Sequence, residues 1–262
     1  MKRSKVVVDQ RRANILAYLQ ENPDTKMADL AELFSVSLIT IRRDLKEMEE
    51  DGLLRRAYGD IRLDIAQPES TDSYDAALIR QAIANYAVNM IEPGDTIFIN
   101  SSQTAIRMLK QIKSKGVTVI TNNMMALKEA RHSNVQIIMT GGELNPCDGS
   151  LSGDFALNSL NIVTATKCFM GANGISSTGG ITTAISQRVQ VNAKMIERCV
   201  GPRVILANGS KIGCCRNFFT CPITDITTII TDNQADPEEI KRIEQKGVEV
   251  IVLDPRTGAR TR

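Results

Sequence analysis

Hydrophobic positions follow two regimes along this chain. In the first fifty residues they recur at helical spacing, and beyond residue 95 they form short apolar runs separated by further helical stretches. Residues 11–20 carry Ile15, Leu16 and Leu19 on one face, and Met27, Leu30, Ala31 and Phe34 repeat that spacing over a shorter helix. Ile41, Leu45 and Met48 line one stripe of a third helix, with Ser37 as its expected N-cap and Gly52 as its stop. Residues 53–59 then predict a short strand that turns at Gly59 and Asp60 into a second strand over 61–65. The pattern predicts a small head over residues 1–65: three helices followed by a hairpin wing.

Residues 66–75, AQPESTDSYD, are polar and aperiodic and read as a linker. A helix with Ile79, Ile83, Ala87 and Ile91 on one stripe opens the body, residues 76–262, and Pro93 and Gly94 end it. After it, apolar β-rich runs at 96–99, 117–121, 135–140, 167–170, 204–207, 227–231 and 248–253 alternate with helical stretches such as 103–114, 187–199 and 236–246. Such alternation predicts an α/β body with a mainly parallel sheet, because parallel strands joined by helices are buried on both faces. Ligands of these sheets sit at the carboxyl ends of the strands.

Charge narrows the reading of the head. The formal net charge is only +2, and residues 1–66 hold 12 Lys+Arg against 12 Asp+Glu. No broad positive field exists, so affinity for nucleic acid must rest on local clusters. These are Lys2, Arg3 and Lys5 in the leader, Arg11 and Arg12 on the first helix, Arg42, Arg43 and Lys46 on the third, and Arg55 and Arg56 on the wing. Opposite the third helix's apolar stripe lie Ile39, Arg43 and Lys46 with Arg42 at the edge, which suits a helix laid in a major groove. The expected DNA-contacting residues are Ser37, Ile39, Thr40, Arg42, Arg43, Lys46, Arg55 and Arg56.

The six cysteines form no CxxC pair and the single histidine, His132, is far from them in sequence, so neither a metal site nor a cofactor is expected. Vicinal Cys214 and Cys215 read as ordinary buried thiols, with a redox sensor as the alternative. With no signal-peptide core and no apolar run of membrane-spanning length, the chain reads as cytoplasmic, without a membrane partner. The tail from Arg256 to Arg262 reads as a solvated end.

The strand ends carry the body's candidate chemistry. The first run leads into Asn100, Ser101, Ser102, Gln103 and Thr104, whose hydroxyls and free N–H groups at a helix start suit a phosphate. The second ends in Thr121, Asn122 and Asn123, the third in Gly141 and Gly142, the fourth in Gly171, Ala172, Asn173 and Gly174, and the fifth in Asn208, Gly209, Ser210 and Lys211. Gly179, Gly180 and Thr182 read as a flexible polar loop. Lys211 is the obvious cation for an anionic ligand.

VSLITIRRDLKEMEEDGLLRRAYG, followed by the spaced motifs TNN, GG, GANG, GGITT and SKIG, resembles the DeoR-type family of bacterial transcription regulators. TIRRDL, from Thr40 to Leu45, is the most specific match. The resemblance implies a winged helix-turn-helix with operator contacts at Thr40, Arg42 and Arg43. It implies a sensor body similar in fold to ribose-phosphate isomerases and CoA transferases. It further implies repression of a carbohydrate-catabolism operon, release by a phosphorylated sugar or related anion, and binding of double-stranded DNA as a homodimer or homotetramer. The ligand site it implies comprises Asn100, Ser101, Ser102, Gln103, Thr104, Thr121, Asn122, Gly141, Gly142, Gly171, Asn173, Gly174, Thr182, Asn208 and Lys211.

This chain departs from the family pattern where Asn100 and Asn208 stand for usual aspartates, and where Gln187, Arg188 and Asn192 stand on a helix that often carries a Glu and a Lys. Each aspartate replaced by asparagine removes a negative charge, so the pocket is expected to accept a ligand with more negative charge, or fewer coordinated hydroxyls, than a typical hexose phosphate. An isomerase or CoA-transferase-like enzyme is the alternative from another class, but acid–base work needs a positioned carboxylate and the strand ends offer few beyond Glu143, Asp148 and Asp154. The expectation is that the chain is not an enzyme; a DNA-binding oligomer without an effector is the remaining alternative.

Overall fold

The structure, a computed structural model, describes residues 11–12, 14–15, 18–19, 22, 25–50, 55–56, 63–64, 74–129, 135–146 and 148–262, with the backbone alone at 46–50, 55–56, 63–64 and 74–75. The chain divides into two units, Met1–Ser73 and Tyr74–Arg262. The leader basic residues Lys2, Arg3 and Lys5, the turn at Gly59 and Asp60, Gly52, the linker up to residue 73, His132 and Cys147 lie outside the described residues. So do the side chains of Lys46, Met48, Arg55 and Arg56.

In the first unit, helical residues 11, 12, 14, 15, 18 and 19 precede the helices Met27–Leu33 and Leu38–Glu50. Ile15, Leu19, Leu30, Ile41 and Leu45 are fully buried together, as their spacing predicts. The turn between the two later helices closes in a 6→1, 5→2 pattern: Val36 N–H donates to Ala31 O over 3.0 Å and Ser35 N–H to Glu32 O over 3.1 Å. Ser35 takes the left-handed conformation this needs, at φ 50°. Ser37 Oγ then accepts from Thr40 N–H over 3.2 Å, an N-cap bond that fixes where the third helix starts. Strand β1 (Arg55–Arg56) pairs antiparallel with β2 (Leu63–Asp64), Arg55 opposite Asp64 and Arg56 opposite Leu63.

The second unit opens with the helix Tyr74–Val88 and continues through β3 (Thr96–Ile99), β4 (Thr118–Thr121), β5 (Gln136–Met139), β6 (Glu143–Asn145), β7 (Ser150–Ser152), β8 (Lys167–Met170), β9 (Gly174–Ser176), β10 (Gly180–Thr183), β11 (Arg203–Leu206), β12 (Phe218–Cys221), β13 (Thr228–Asp232) and β14 (Glu249–Leu253). The seven predicted runs form one sheet in the order β14-β13-β11-β8-β3-β4-β5, parallel throughout. Alternate side chains serve two cores. Ile97, Ile99 and Val119 pack with Ile79 and Ile83 of the first body helix. Phe98, Ile120 and Ile205 pack on the other face with Ala156 and Leu160, and with Val191, Met195 and Ile196 of the helix Gln187–Glu197. Each buried Ile or Phe contributes about 1.5–3 kcal/mol relative to exposure, which is why runs of them specify strands buried on both faces. Among the described residues no helix is long and apolar enough to cross a membrane.

The chain enters this sheet at an interior strand, β3, and moves outward through β4 to β5. It then returns to the other side of β3 with β8 and moves outward again through β11, β13 and β14. Neighbouring β3 and β8 therefore send their onward connections in opposite directions, which opens a crevice beyond their carboxyl ends.

Two expectations change. The Gly179–Thr182 stretch is not a free loop: β10 is the central strand of an antiparallel sheet, β12-β10-β9, and Gly180 at φ 68° leaves no room for a Cβ, which would lie 2.4 Å from Cys221 O. Nor is the tail a loose end. Val252 N–H donates to Arg262 O over 3.2 Å and Thr261 N–H to Val252 O over 2.8 Å, so the tail runs back along β14. That strand is the sheet's edge, where unpaired backbone groups favour such a cover.

Candidate DNA-binding helix and effector site

The helix Leu38–Glu50 separates its faces as the sequence predicts. Ile41 and Leu45 are buried, Arg42 and Arg43 are exposed, Thr40 is half-buried, and apolar Ile39 stands 78% exposed. Sequence reasoning missed Asp44. Its carboxylate, 2% exposed, accepts from Arg11 Nε over 2.7 Å and Arg12 Nε over 3.2 Å. The aspartate of TIRRDL thus fastens the third helix to the first, and both arginines assigned to a basic cluster have a structural partner there. No local pattern marks this pairing, because its members lie 32 and 33 positions apart.

In the body, the switch-point crevice is built around Asn100, 3% exposed. Its Oδ1 accepts from Ser102 N–H over 3.2 Å and from Gly171 N–H over 3.0 Å. Its Nδ2 donates to Gly171 O over 3.0 Å and to Asn192 Oδ1 over 3.2 Å. A side-chain amide has two donor hydrogens and two acceptor lone pairs, and all four are used. Asn100 is therefore a clasp joining the β3 exit, the β8 exit and the helix Gln187–Glu197, with no capacity left for a ligand. An aspartate could not make the two donated bonds, which is a physical reason for asparagine here.

Ser102 is similarly engaged: its Oγ accepts from Thr104 N–H over 3.1 Å and Ala105 N–H over 3.2 Å, capping the helix Gln103–Ile106. Gly171 packs so closely that a Cβ would sit 2.3 Å from that hydroxyl. Thr121 Oγ1 accepts from Asn123 N–H over 3.1 Å. Two predicted groups remain unsatisfied. Ser101 Oγ and Asn122 Oδ1 are buried with no hydrogen-bond partner, while Asn122 Nδ2 donates to Leu151 O over 2.9 Å. A buried polar atom left unpaired costs about 1–3 kcal/mol, and these two follow the carboxyl ends of the adjacent strands β3 and β4. Gln103 is exposed beside them and Thr104 is buried.

The other predicted residues are spread around this centre. Gly141 (φ 68°) and Gly142 (φ 107°) turn the β5 exit into β6, and a Cβ on Gly142 would meet Ser152 O at 2.3 Å. Asn173 Oδ1 accepts from Thr183 Oγ1 over 2.9 Å. Thr182 Oγ1 donates to Gly174 O over 3.2 Å and accepts from Arg216 N–H over 2.9 Å, so Asn173, Gly174 and Thr182 knit the β8 exit to β10. Asn208 precedes the short turn Gly209–Lys211, which is held to the β13 exit by Gly209 N–H donating to Asp232 Oδ2 over 2.6 Å. Lys211 is half-buried there, and no carboxylate among the described residues pairs with it.

A second cation, Arg188, is paired with a carboxylate. Arg188 donates from Nη2 and Nε to Asp148 Oδ2 over 2.6 and 3.1 Å, and Asp148 Oδ1 accepts from Ser150 Oγ over 2.6 Å and Ser150 N–H over 2.9 Å. Burial pushes the Asp148 carboxyl up, but the bonds from Ser150 and the charge and bonds of Arg188 outweigh it and hold it below its ordinary value. Asp148 lies between β6 and β7, in a hairpin bound to the β4 exit by Met124 N–H to Gly149 O and Leu151 N–H to Asn122 O, both 2.8 Å. Of the buried cysteines, burial pushes Cys221 up to about 12 and raises Cys168 and Cys199. These three are packing groups rather than nucleophiles, whereas Cys214 is half-buried and Cys215 exposed, not buried as expected.

Residues 11–66 match the DeoR-like helix-turn-helix domain and residues 76–233 the DeoR C terminal sensor domain. The chain belongs to the DeoR family. Relatives resemble it over nearly their whole length. An uncharacterized HTH-type transcriptional regulator of Bacillus subtilis, YulB, is 30% identical over 95% of this chain and 98% of its own. A lactose phosphotransferase system repressor of Staphylococcus epidermidis is 28% identical over 92% and 98%. Among solved structures, ribose 5-phosphate isomerase A of Methanocaldococcus jannaschii overlaps 52% of this chain and 54% of its own at 15% identity and a TM-score of 0.38. The Pyrococcus horikoshii translation initiation factor eIF-2B overlaps 87% and 82% at 13% identity and a TM-score of 0.42. This DeoR-family chain is a DNA-binding transcription regulator and not an enzyme.

Proposed function

We propose that this protein represses a carbohydrate-utilisation operon in the cytoplasm and is released from its operator when a phosphorylated sugar or related anion binds at the β3–β8 switch point. The two buried, unpartnered atoms at that crevice, Ser101 Oγ and Asn122 Oδ1, carry the reading, because they offer hydrogen bonds that nothing in the described chain takes up. A relative named for repression of a lactose phosphotransferase system agrees with it. Gln103, Thr104 and Lys211 border the same crevice and complete the ligand's polar surroundings. Exposed Ile39, Arg42 and Arg43, with Ser37 and Thr40 at the helix start and Lys46, Arg55 and Arg56 beyond, form the operator-reading surface. Two heads of a homodimer or homotetramer engage paired half-sites of double-stranded DNA. An effector that prefers the DNA-incompetent arrangement of the subunits lowers operator affinity in proportion to its differential binding.

Fluorescence anisotropy on promoter DNA from the genes adjoining this one, with and without triose-to-hexose phosphates, tests this. Binding that at least one sugar phosphate weakens, and its unphosphorylated sugar does not, is the expected outcome. Arg43→Ala should cost about 1–3 kcal/mol of specific affinity if Arg43 reads a base. DNA binding that no anionic metabolite alters would overturn the effector half of the proposal.

A further inference from the structure

Arg188 occupies the second position of the helix Gln187–Glu197, one turn before Asn192 on the same helical face. Asn192 touches Asn100 at the floor of the crevice. The carboxylate that Arg188 holds belongs to the β6–β7 hairpin, and this hairpin also carries Leu151 O, the acceptor of Asn122 Nδ2. Arg188 is thus tied, through its own helix to Asn100 and through the hairpin to Asn122, to the two strand exits at which Ser101 Oγ and Asn122 Oδ1 lack partners. Its grip on Asp148 is one-sided, because both of its donors converge on Oδ2 while Ser150 occupies Oδ1. Nη1 has no partner among the described residues. A guanidinium oriented by a carboxylate and left with an unused edge is a preorganised anion receptor, since the forked donors match a phosphate or carboxylate.

We propose that Arg188 is the anion anchor of the effector site and that Asp148 is its resting counter-ion, which an incoming phosphomonoester or carboxylate of a hydroxylated metabolite partly displaces. This rests on the effector reading above and makes it specific: the anion lies on Arg188, and the hydroxyls lie toward Ser101 Oγ and Asn122 Oδ1. Weakening the Arg188–Asp148 pair also loosens the one ion pair that, among the described residues, joins the β6–β7 hairpin to the helix Gln187–Glu197. Anion binding is thereby coupled to the position of that hairpin.

Isothermal titration of the full-length protein with inorganic phosphate and a triose-to-hexose phosphate panel, each sugar phosphate paired with its neutral sugar, distinguishes the claims. Arg188→Gln should weaken phosphate-ester binding about 10- to 100-fold, the range expected on losing a charge-assisted bond. Asp148→Asn keeps an acceptor for Ser150 and removes the competing charge, so it should tighten the same ligand several-fold. Arg188→Lys, which retains charge without the fork, should fall between wild type and Arg188→Gln and guards against a misfolded glutamine variant. Opposite signs for the two partners are the signature, because a purely structural pair loses affinity from either side. Equal loss in both variants, or no change in either, overturns the anchor while leaving the effector reading intact. Failure of the wild type to bind any member of the panel overturns the effector reading and the anchor with it.

Discussion

Replacing Asn100 with aspartate exchanges one NH2 for one oxygen in a side chain that is 3% exposed, with no change of shape. Oδ1 keeps its donors, Ser102 N–H and Gly171 N–H. The second oxygen would face Gly171 O and Asn192 Oδ1, across the distances of 3.0 and 3.2 Å that the amide now bridges by donating. Asn192 can rotate its amide and donate instead, but Gly171 O cannot. Two neutral bonds lost and one regained leave a deficit of about 1 kcal/mol, and a buried carboxylate against an unshielded carbonyl adds about 1–3 kcal/mol. The expected destabilisation near neutral pH is about 2–4 kcal/mol. Because only the folded state penalises ionisation, the introduced carboxyl has a folded pKa above its unfolded value. The penalty is therefore absent below the unfolded value of about 3.9 and grows as the pH rises through the folded one. Urea denaturation followed by circular dichroism at several pH values reads both features. Adding Asn192→Lys should recover part of the loss by setting an ammonium beside the carboxylate. An Asn100→Asp variant within about 0.5 kcal/mol of wild type near neutral pH would refute the clasp.

Three further outcomes follow from the same contacts. Asp44→Ala leaves the Arg11 and Arg12 guanidinium groups without their buried carboxylate, so the head should lose about 3 kcal/mol and operator affinity should fall although no DNA-facing residue has changed; unaltered melting of the head would contradict this. Ser35→Gly relieves a left-handed serine at φ 50° and should raise head stability by about 0.5–1 kcal/mol, with a lower thermal midpoint as the contrary result. Burial pushes Asp95 up, but hydrogen bonds from Lys167, Glu92 N–H and Thr166 outweigh it and hold its carboxyl low. That stabilisation is present above the unfolded carboxyl value of about 3.9 and is lost as the pH falls through the lower folded value. A double variant, Asp95→Asn with Lys167→Met, should accordingly show a shallower acid loss of stability than wild type, and identical acid limbs would exclude the assignment.

The interior strands of the large sheet were legible because a strand buried on both faces is a near-continuous apolar run, as in Thr96–Ile99 or Arg203–Leu206, while the edge strand β5 is partly exposed. The short antiparallel elements were not. β6, β7, β9, β10 and β12 are three or four residues long, β7, β9 and β10 are mostly Gly, Ser and Thr, and none is an extended apolar run. At the crevice, residue types announced polarity but not whether it was spent. Asn100 and Ser101 read alike in sequence, yet one makes four hydrogen bonds and the other's hydroxyl has none.

The sequence by itself determined the local order: a capped helix beginning at Ser37 with Ile41 and Leu45 inward and Arg42 and Arg43 outward, then an alternation of strands and helices with polar strand ends. These follow from periodicity and capping, which act within a few residues. Only the tertiary structure decided that β8 returns to the side of β3 rather than adding beyond β5, which creates the crevice. It alone decided that Asp44 binds Arg11 and Arg12, that Asn100 closes on Gly171 and Asn192, and that Asp148 holds Arg188. Each of these contacts joins residues 32 or more positions apart, and pairings at such separations are fixed by the packing of whole elements rather than by any spacing along the chain.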